Sequence, residues 1–260
     1  MAKTKVAGRP RLKNATPVWY CPGCGYGIIT RVTCEVIEEM GIEDIAIGIA
    51  PGGCAGPEGT YIDIDYGHAA HGRAQAVTTG VKRANPKAVV FNWQGDGDLA
   101  AIGMGGWMHA MLRAETFTTI FLNNAGYGST GGQMAPTTPA GMRSSTSIYG
   151  KDPRTAGFTV HVAEMAATMP GVAYSARVAI NTPANFRRAK EALRRAFEKQ
   201  MAGVGYSIVE FLSPCPPNWG LTPIEAMRFV EEKLIPIFPL GVFKDVDSID
   251  YSMPAFYENK

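Results

Sequence analysis

With 260 residues, 46% hydrophobic and only 18% charged, the chain can build one large core but has little charge to coat an entirely free surface, which points to buried subunit interfaces. A net charge of +2, carried by scattered Lys and Arg residues, offers no stripe for a polyanion, so no nucleic-acid partner is expected. No stretch is apolar for long enough to cross a bilayer, and the basic opening residues 1–13 lack the apolar run of a signal peptide; the expected location is the cytoplasm.

Apolar runs alternate with segments of helical spacing, the pattern of an α/β fold with a mostly parallel sheet and helices on both faces. A helix from about Tyr26 carries Ile28, Val32, Val36 and Met40 at i+4 spacing, and a buried strand follows over 44–50. Residues 71–84 form a second helix. Residues 88–93, 99–113 and 118–122 read as strand, helix and strand, one βαβ unit. The stretch 124–158, rich in Gly, Ser, Thr and Pro, is too long for an idle connection and reads as a binding loop. A strand over 172–180 precedes a helix that Thr182 caps and Pro183 opens, running to Gln200, and another strand covers 206–212. Thr222-Pro-Ile-Glu225 is a capping box for the last helix. One domain is expected over 1–243, followed by a polar, aperiodic tail at 244–260 that is unstructured alone or laid on a partner.

Two constellations carry chemistry. Gly95-Asp96-Gly97-Asp98 ends one strand of the βαβ unit and Asn123-Asn124 ends the next. Parallel strands joined by a crossover finish at the same sheet edge, so Asp96 and Asn124 are brought together at the edge where open α/β sheets bind ligands. Two hard oxygen ligands facing one point suit Mg²⁺, which shares its shell between one or two side chains and phosphates. Gly95 and Gly97 let the backbone approach closely. The following helix aims its free amides at the same place, with Asp98 able to cap it. Taken singly, each motif is ordinary turn chemistry; the pairing at the ends of consecutive strands is what makes them a site.

The five cysteines of a chain read as cytoplasmic favour metal or redox chemistry over disulfides. Cys21 and Cys24 precede the first helix, Cys54 follows the first strand and Cys215 follows the last, so all four map to the carboxyl edge. Four thiolates can bind zinc or a [4Fe-4S] cluster. Zinc usually shows two close pairs; here one pair is close and the other two cysteines are single and distant. Cys34, in mid-helix, reads as core.

These motifs resemble those of the thiamine-diphosphate-binding beta subunit of the 2-oxoacid:ferredoxin oxidoreductases, most nearly the branched-chain (2-oxoisovalerate) type, over about residues 20–243. The likeness rests on Cys21-Pro-Gly-Cys24, Gly53-Cys-Ala-Gly56, His71-Gly-Arg73, Gln94-Gly-Asp-Gly-Asp98, the run from Asn123 to Gln133, and Ser213-Pro-Cys-Pro. It implies that Asp96, the Asn124 side chain and the Gly126 carbonyl hold Mg²⁺, and that Cys21, Cys24, Cys54 and Cys215 hold one [4Fe-4S] cluster. It also implies that His71 and Thr130 lie near thiamine diphosphate. The implied activity is oxidative decarboxylation of a 2-oxoacid, electrons passing through the cluster to ferredoxin and coenzyme A taking the acyl group. Thiamine chemistry also uses a glutamate against the pyrimidine ring. No Glu here sits in a motif for it, so the resemblance implies that alpha and further subunits complete the enzyme.

Two other readings compete. A non-oxidative thiamine-dependent lyase or synthase would keep Asp96 and Asn124 but need no cluster. A zinc-stabilised assembly subunit would keep the cysteines around a relic cofactor site.

Overall fold

The structure, a computed structural model, describes residues 8–252; the first part of the basic opening segment and the end of the expected tail lie outside them. In chain order, helix α1 (Gly25–Met40) leads to strand β1 (Ala46–Ala50), a 3-10 helix (Gly53–Thr60) and strand β2 (Asp65–His68). Then come α2 (Ala74–Ala84), β3 (Val89–Gly95), α3 (Met104–Leu112) and β4 (Thr118–Asn123). After the long loop follow α4 (Pro153–Ala156), α5 (Val162–Ala167), β5 (Val172–Ala179), α6 (Pro183–Met201) and β6 (Tyr206–Leu212). The described chain closes with α7 (Pro216–Trp219), α8 (Pro223–Phe229) and β7 (Gly241–Asp245).

Among the described residues the strands form one sheet in the order β2-β1-β3-β4-β6-β5-β7, parallel throughout except for β7, which runs antiparallel to β5. Because strand side chains alternate, β3 divides its residues between two cores. Phe91 and Trp93 face α1 and α6, with the Phe91 ring 5.6 Å from that of Phe197, whereas Val90 joins Trp107, Phe121 and Ile208 on the opposite face. Both faces are covered, as a parallel sheet requires. α1 stops at Gly41, whose φ of 63° is the left-handed conformation that ends a helix. α8 begins with the capping box Thr222/Glu225.

Four features depart from the sequence expectation. β2 is built from Asp-Tyr-Gly-His; an edge strand is packed on one side only and needs no apolar run. The helix expected over 71–84 starts at Ala74, leaving His71 and Gly72 in a turn, with Gly72 at φ 76°. The helix expected over 99–113 opens as a wider π turn (Asp98–Ile102) before α3, because Gly103 N–H bonds to the Asp98 carbonyl at 2.8 Å. A Cβ at position 103 would collide with that carbonyl. Finally, the boundary expected at 243/244 falls inside β7, and residues 244–252, expected as a tail, begin as sheet. Val246 N–H bonds to the Ala173 carbonyl at 3.0 Å, and the buried Lys199 ammonium reaches the Val246 carbonyl and Asp247 at 2.6 Å each.

The segment ahead of α1 is fastened to the 3-10 helix, which fixes one cysteine-bearing segment against another. Tyr61 hydroxyl accepts from Trp19 N–H at 2.9 Å, and Tyr20 donates to the carboxyl of Glu58, which is wholly buried. Burial pushes the Glu58 carboxyl from 4.5 up to about 8, against the opposing pull of its hydrogen bonds from Tyr20 and Thr30 and the charge of Lys13. A folded value above the unfolded one means that the stability tied to this proton is complete below 4.5 and is lost as pH rises through about 8. Urea midpoints should therefore fall across that window, and Glu58→Gln, which keeps the Tyr20 acceptor, should flatten the fall; an equal fall in both proteins would rule out Glu58 as the cause.

Candidate functional site

β3 and β4 pair in register with Gly95 opposite Leu122, so the residues that leave the two strands emerge side by side. Asp96 Oδ2 accepts N–H bonds from Gly126 at 2.7 Å and from Asn124 at 3.2 Å, and its other oxygen, also buried, has no partner. The Asn124 amide can be placed either way round. Nitrogen inward, it donates to Asp96 Oδ2 at 2.9 Å and to the Gly126 carbonyl at 2.7 Å. Oxygen inward, the same distances bring acceptors together, an arrangement relieved by a proton or a cation. Burial pushes the Asp96 carboxyl well above its ordinary range; the Gly126 N–H opposes the rise and the Glu210 carboxylate adds to it. A buried carboxylate of this kind gains most from a proton or a metal ion among its oxygens.

The glycines flanking Asp96 have steric reasons. A Cβ on Gly97 would run into the Tyr127 ring, and one on Gly95 would lie 3.0 Å from the Tyr26 hydroxyl. Asp98 does not cap its own helix. Its carboxylate accepts the Gly72 N–H at 2.6 Å and a hydrogen bond from Gln94, thereby holding the turn that carries His71, whose Nε2 lies 3.7 Å from Asp98. His71 and Thr130 open onto the same cleft as Asp96, Asn124 and Gly126, a space of about 140 Å³. Thr130 hydroxyl is itself bonded to Gln133 at 2.6 Å, which closes the 127–133 turn.

Four of the five free cysteines gather beside this cleft. Gly25 N–H bonds to the Pro214 carbonyl at 3.1 Å, joining the start of α1 to the loop of Cys215; a Cβ on Gly25 would collide with Ser213 Oγ. Cys54, which lines the cleft, approaches the loop from the other side, its sulfur 3.2 Å from where a Gly128 Cβ would stand. Burial pushes the Cys24 thiol up to about 12, with the Tyr26 N–H opposing and the Cys215, Cys54 and Cys21 charges adding to the rise. The Cys215 thiol is likewise pushed up to about 11 by burial, with the Asn218 N–H opposing and the Cys54 and Cys21 charges adding. Cys34 is buried in mid-helix, away from this group. Among the described residues no three or more His, Cys, Asp or Glu side chains close on a single ion.

Three residues not singled out from the sequence complete the site. Tyr26, buried at the start of α1, lies near both the sulfurs and Asp96, whose charges raise its hydroxyl after burial itself. Trp219 Nε1 donates to the Asn124 carbonyl and Asn218 to the Gly128 carbonyl, each at 3.2 Å. The helix after Cys215 thus holds the loop of Asn124 and Gly128. An aromatic or an asparagine carries no motif; only the order in which β4 and β6 lie side by side reveals their role.

Residues 52–211 match the family described as "Thiamine pyrophosphate enzyme, C-terminal TPP binding domain". Ketoisovalerate oxidoreductase subunit VorA of Methanothermobacter thermautotrophicus is 44% identical over 88% of this chain, although the chain spans about half the length of that relative (48%). 2-Oxoglutarate synthase subunit KorB of Archaeoglobus fulgidus is 33% identical over 88% of this chain and 81% of its own length. The same fold occurs in a 2-oxoglutarate:ferredoxin oxidoreductase from Magnetococcus marinus, solved with 2-oxoglutarate, coenzyme A and succinyl-CoA bound, with a TM-score of 0.77 at 24% identity over 97% of this chain and 88% of that one. The chain therefore belongs to the thiamine pyrophosphate enzymes and, within them, to the subunit family of the 2-oxoacid:ferredoxin oxidoreductases.

Proposed function

We propose that this chain is the thiamine-diphosphate-binding subunit of an enzyme that oxidatively decarboxylates a 2-oxoacid with coenzyme A to an acyl-CoA and CO₂, passing the electrons through a [4Fe-4S] cluster to ferredoxin. One observation carries the reading: a three-oxygen point at the ends of β3 and β4 lies beside four gathered thiols. Ligand oxygens around Mg²⁺, at about 2.0–2.1 Å from the ion, stand about 2.9 Å from their neighbours in an octahedron. The separations of 2.7 and 2.9 Å around the Asn124 amide oxygen match that edge. Asp96, Asn124 and the Gly126 carbonyl would thus hold Mg²⁺ and, through it, the diphosphate of the cofactor.

Cys21, Cys24, Cys54 and Cys215 would hold the cluster. Four zinc thiolates would have to converge to about 2.3 Å from one centre. A cluster spreads its ligands over several irons. N–H groups of Tyr26 and Asn218 meet the sulfurs of Cys24 and Cys215, where they would also bear on its potential. When bound, thiamine diphosphate supplies the electron sink for decarboxylation. This chain's residues would hold its diphosphate and set the sulfurs close by. His71, on the turn held by Asp98, is the candidate to exchange a proton at the cleft.

A branched-chain substrate is favoured because the ketoisovalerate subunits are 44% and 43% identical to this chain, against 33% for a 2-oxoglutarate one. The cleft supports dependence on partner subunits: its volume of about 140 Å³ is below the roughly 300–1,000 Å³ of ligand-sized pockets, and no glutamate lines it among the described residues. Localisation in the cytoplasm, where ferredoxin and coenzyme A are at hand, accords with the use of free thiols.

Two measurements test this reading. Anaerobically purified wild type should contain about 4 iron and about 4 acid-labile sulfide per chain, lost in Cys54→Ala; one zinc and no sulfide would overturn the cluster assignment. The isolated chain should turn over no 2-oxoacid. Addition of its partner subunits should give CoA-dependent reduction of ferredoxin, with 2-oxoisovalerate preferred over pyruvate by about tenfold in kcat/KM. Full turnover by the chain alone, or no preference in the complex, would refute the corresponding part.

A further inference from the structure

Behind the three-oxygen point lies a buried polar network that the proposed chemistry leaves unused. Glu210, in the middle of β6, is entirely buried. One carboxylate oxygen is paired with the buried Arg177 at 3.0 Å and accepts the Ala163 N–H at 3.0 Å. The other accepts the Asn123 amide N–H at 2.7 Å. Arg177 is gripped in turn by Glu164 and by the Pro239 carbonyl at 3.1 Å, so Glu210 has no freedom to move away.

An ionised carboxylate only accepts hydrogen bonds, so Asn123 must present its nitrogen to Glu210. Its amide oxygen then faces the other way, where it accepts the Ala125 N–H at 3.1 Å. Ala125 has φ of 60°, a left-handed conformation that an L-residue with a side chain adopts only under constraint. Thr138 hydroxyl grips the Ala125 carbonyl at 2.6 Å from the far side. That turn is what aims Gly126 N–H at Asp96 and gathers the Asn124 amide and the Gly126 carbonyl at one point.

We propose that Glu210, anchored by Arg177, is a positioning residue for the metal-diphosphate loop, acting by fixing which way round the Asn123 amide lies. The proposal rests on the reading of Asp96, Asn124 and Gly126 as the cation site. It also accounts for an ion pair at full burial, which contributes little to stability by itself.

The test is Mn²⁺ uptake in the presence of thiamine diphosphate, followed by the electron paramagnetic resonance of free Mn²⁺, on the full chain purified with the subunits that accompany it. Thermal unfolding is recorded in parallel. Glu210→Gln and Asn123→Asp should each weaken Mn²⁺ binding by about 10–100-fold, the usual effect of losing a group behind the ligands. Combining the two substitutions moves the carboxylate to the other side of the hydrogen bond. The carboxylate now at position 123 would accept both from Ala125 N–H and from the amide now at position 210, so most of the lost affinity should return. Singles that bind Mn²⁺ like wild type while melting earlier would overturn the proposal, leaving a merely structural ion pair. A double variant no better than the worse single would overturn it too. If Glu210→Gln does not fold, Asn123→Asp alone still decides, since retained affinity there refutes the amide mechanism. Wild type that takes up no Mn²⁺ removes the cation-site reading itself, and this proposal with it.

Discussion

With its oxygen turned inward, the Asn124 amide lies within hydrogen-bonding distance of both Asp96 and the Gly126 carbonyl, acceptors that repel it unless a proton or a cation lies among them, and the carboxyl edge of this sheet is arranged around that constraint. β3 delivers Asp96 and β4 delivers Asn124 in parallel register, so neither can retreat without breaking the ladder between the two strands. The backbone then turns through Ala125 at φ 60° to add the Gly126 carbonyl. Such crowding is unfavourable locally and persists because the surrounding elements over-determine it. Gly97 is required since the Tyr127 ring occupies the space of a Cβ, and Trp219 holds the Asn124 carbonyl from outside.

Much of this was legible in the sequence because it follows from strand order alone. Gly95-Asp96-Gly97 and Asn123-Asn124 stand at the ends of consecutive strands of a βαβ unit, and parallel connection brings such ends together whatever the loops do. Cys54 and Cys215 were readable for the same reason, each following a strand at that edge. What stayed hidden depends on non-local packing. Glu210 sits in a strand whose neighbours are Ile208, Val209 and Phe211, and nothing local separates it from a tolerated polar residue of a buried strand. Its meaning appears only when β6 is known to lie between β4 and β5, which places it beside Asn123 on one side and Arg177 on the other. β7 escaped notice because its anchors, Arg195 and Lys199 on α6, are some fifty residues away in sequence. The π turn at Asp98–Ile102 escaped because a helix pattern does not reveal one extra residue per turn.

Asp98 illustrates how one member of a motif can serve a use that its place in the sequence does not suggest. Acidic residues at the start of a helix commonly cap it, and the sequence pattern fits that use. The structure turns the side chain sideways instead, to the Gly72 N–H, and so uses it to hold the turn that bears His71. The consequence is a link between two segments 26 residues apart: the residue after Gly97 holds the turn that carries the only imidazole lining the cleft among the described residues.

The two proposed cofactors also share a backbone. Asn124, Gly126 and Gly128 belong to one turn, and a side chain at Gly128 would press on the Cys54 sulfur and the Asn124 amide alike, at 3.2 Å each. Tyr26 stands on the opposite side, its hydroxyl beside Gly95 and its N–H on the Cys24 sulfur. Nothing wider than a glycine separates the sulfur from the amide on this path. Electron transfer between neighbouring groups gains from short separation, whereas the charge of each group disturbs the other across a low-dielectric gap. A loop that touches both therefore cannot be altered for one without disturbing the other, which explains why small residues and fixed amides, rather than exchangeable side chains, occupy the ground between them.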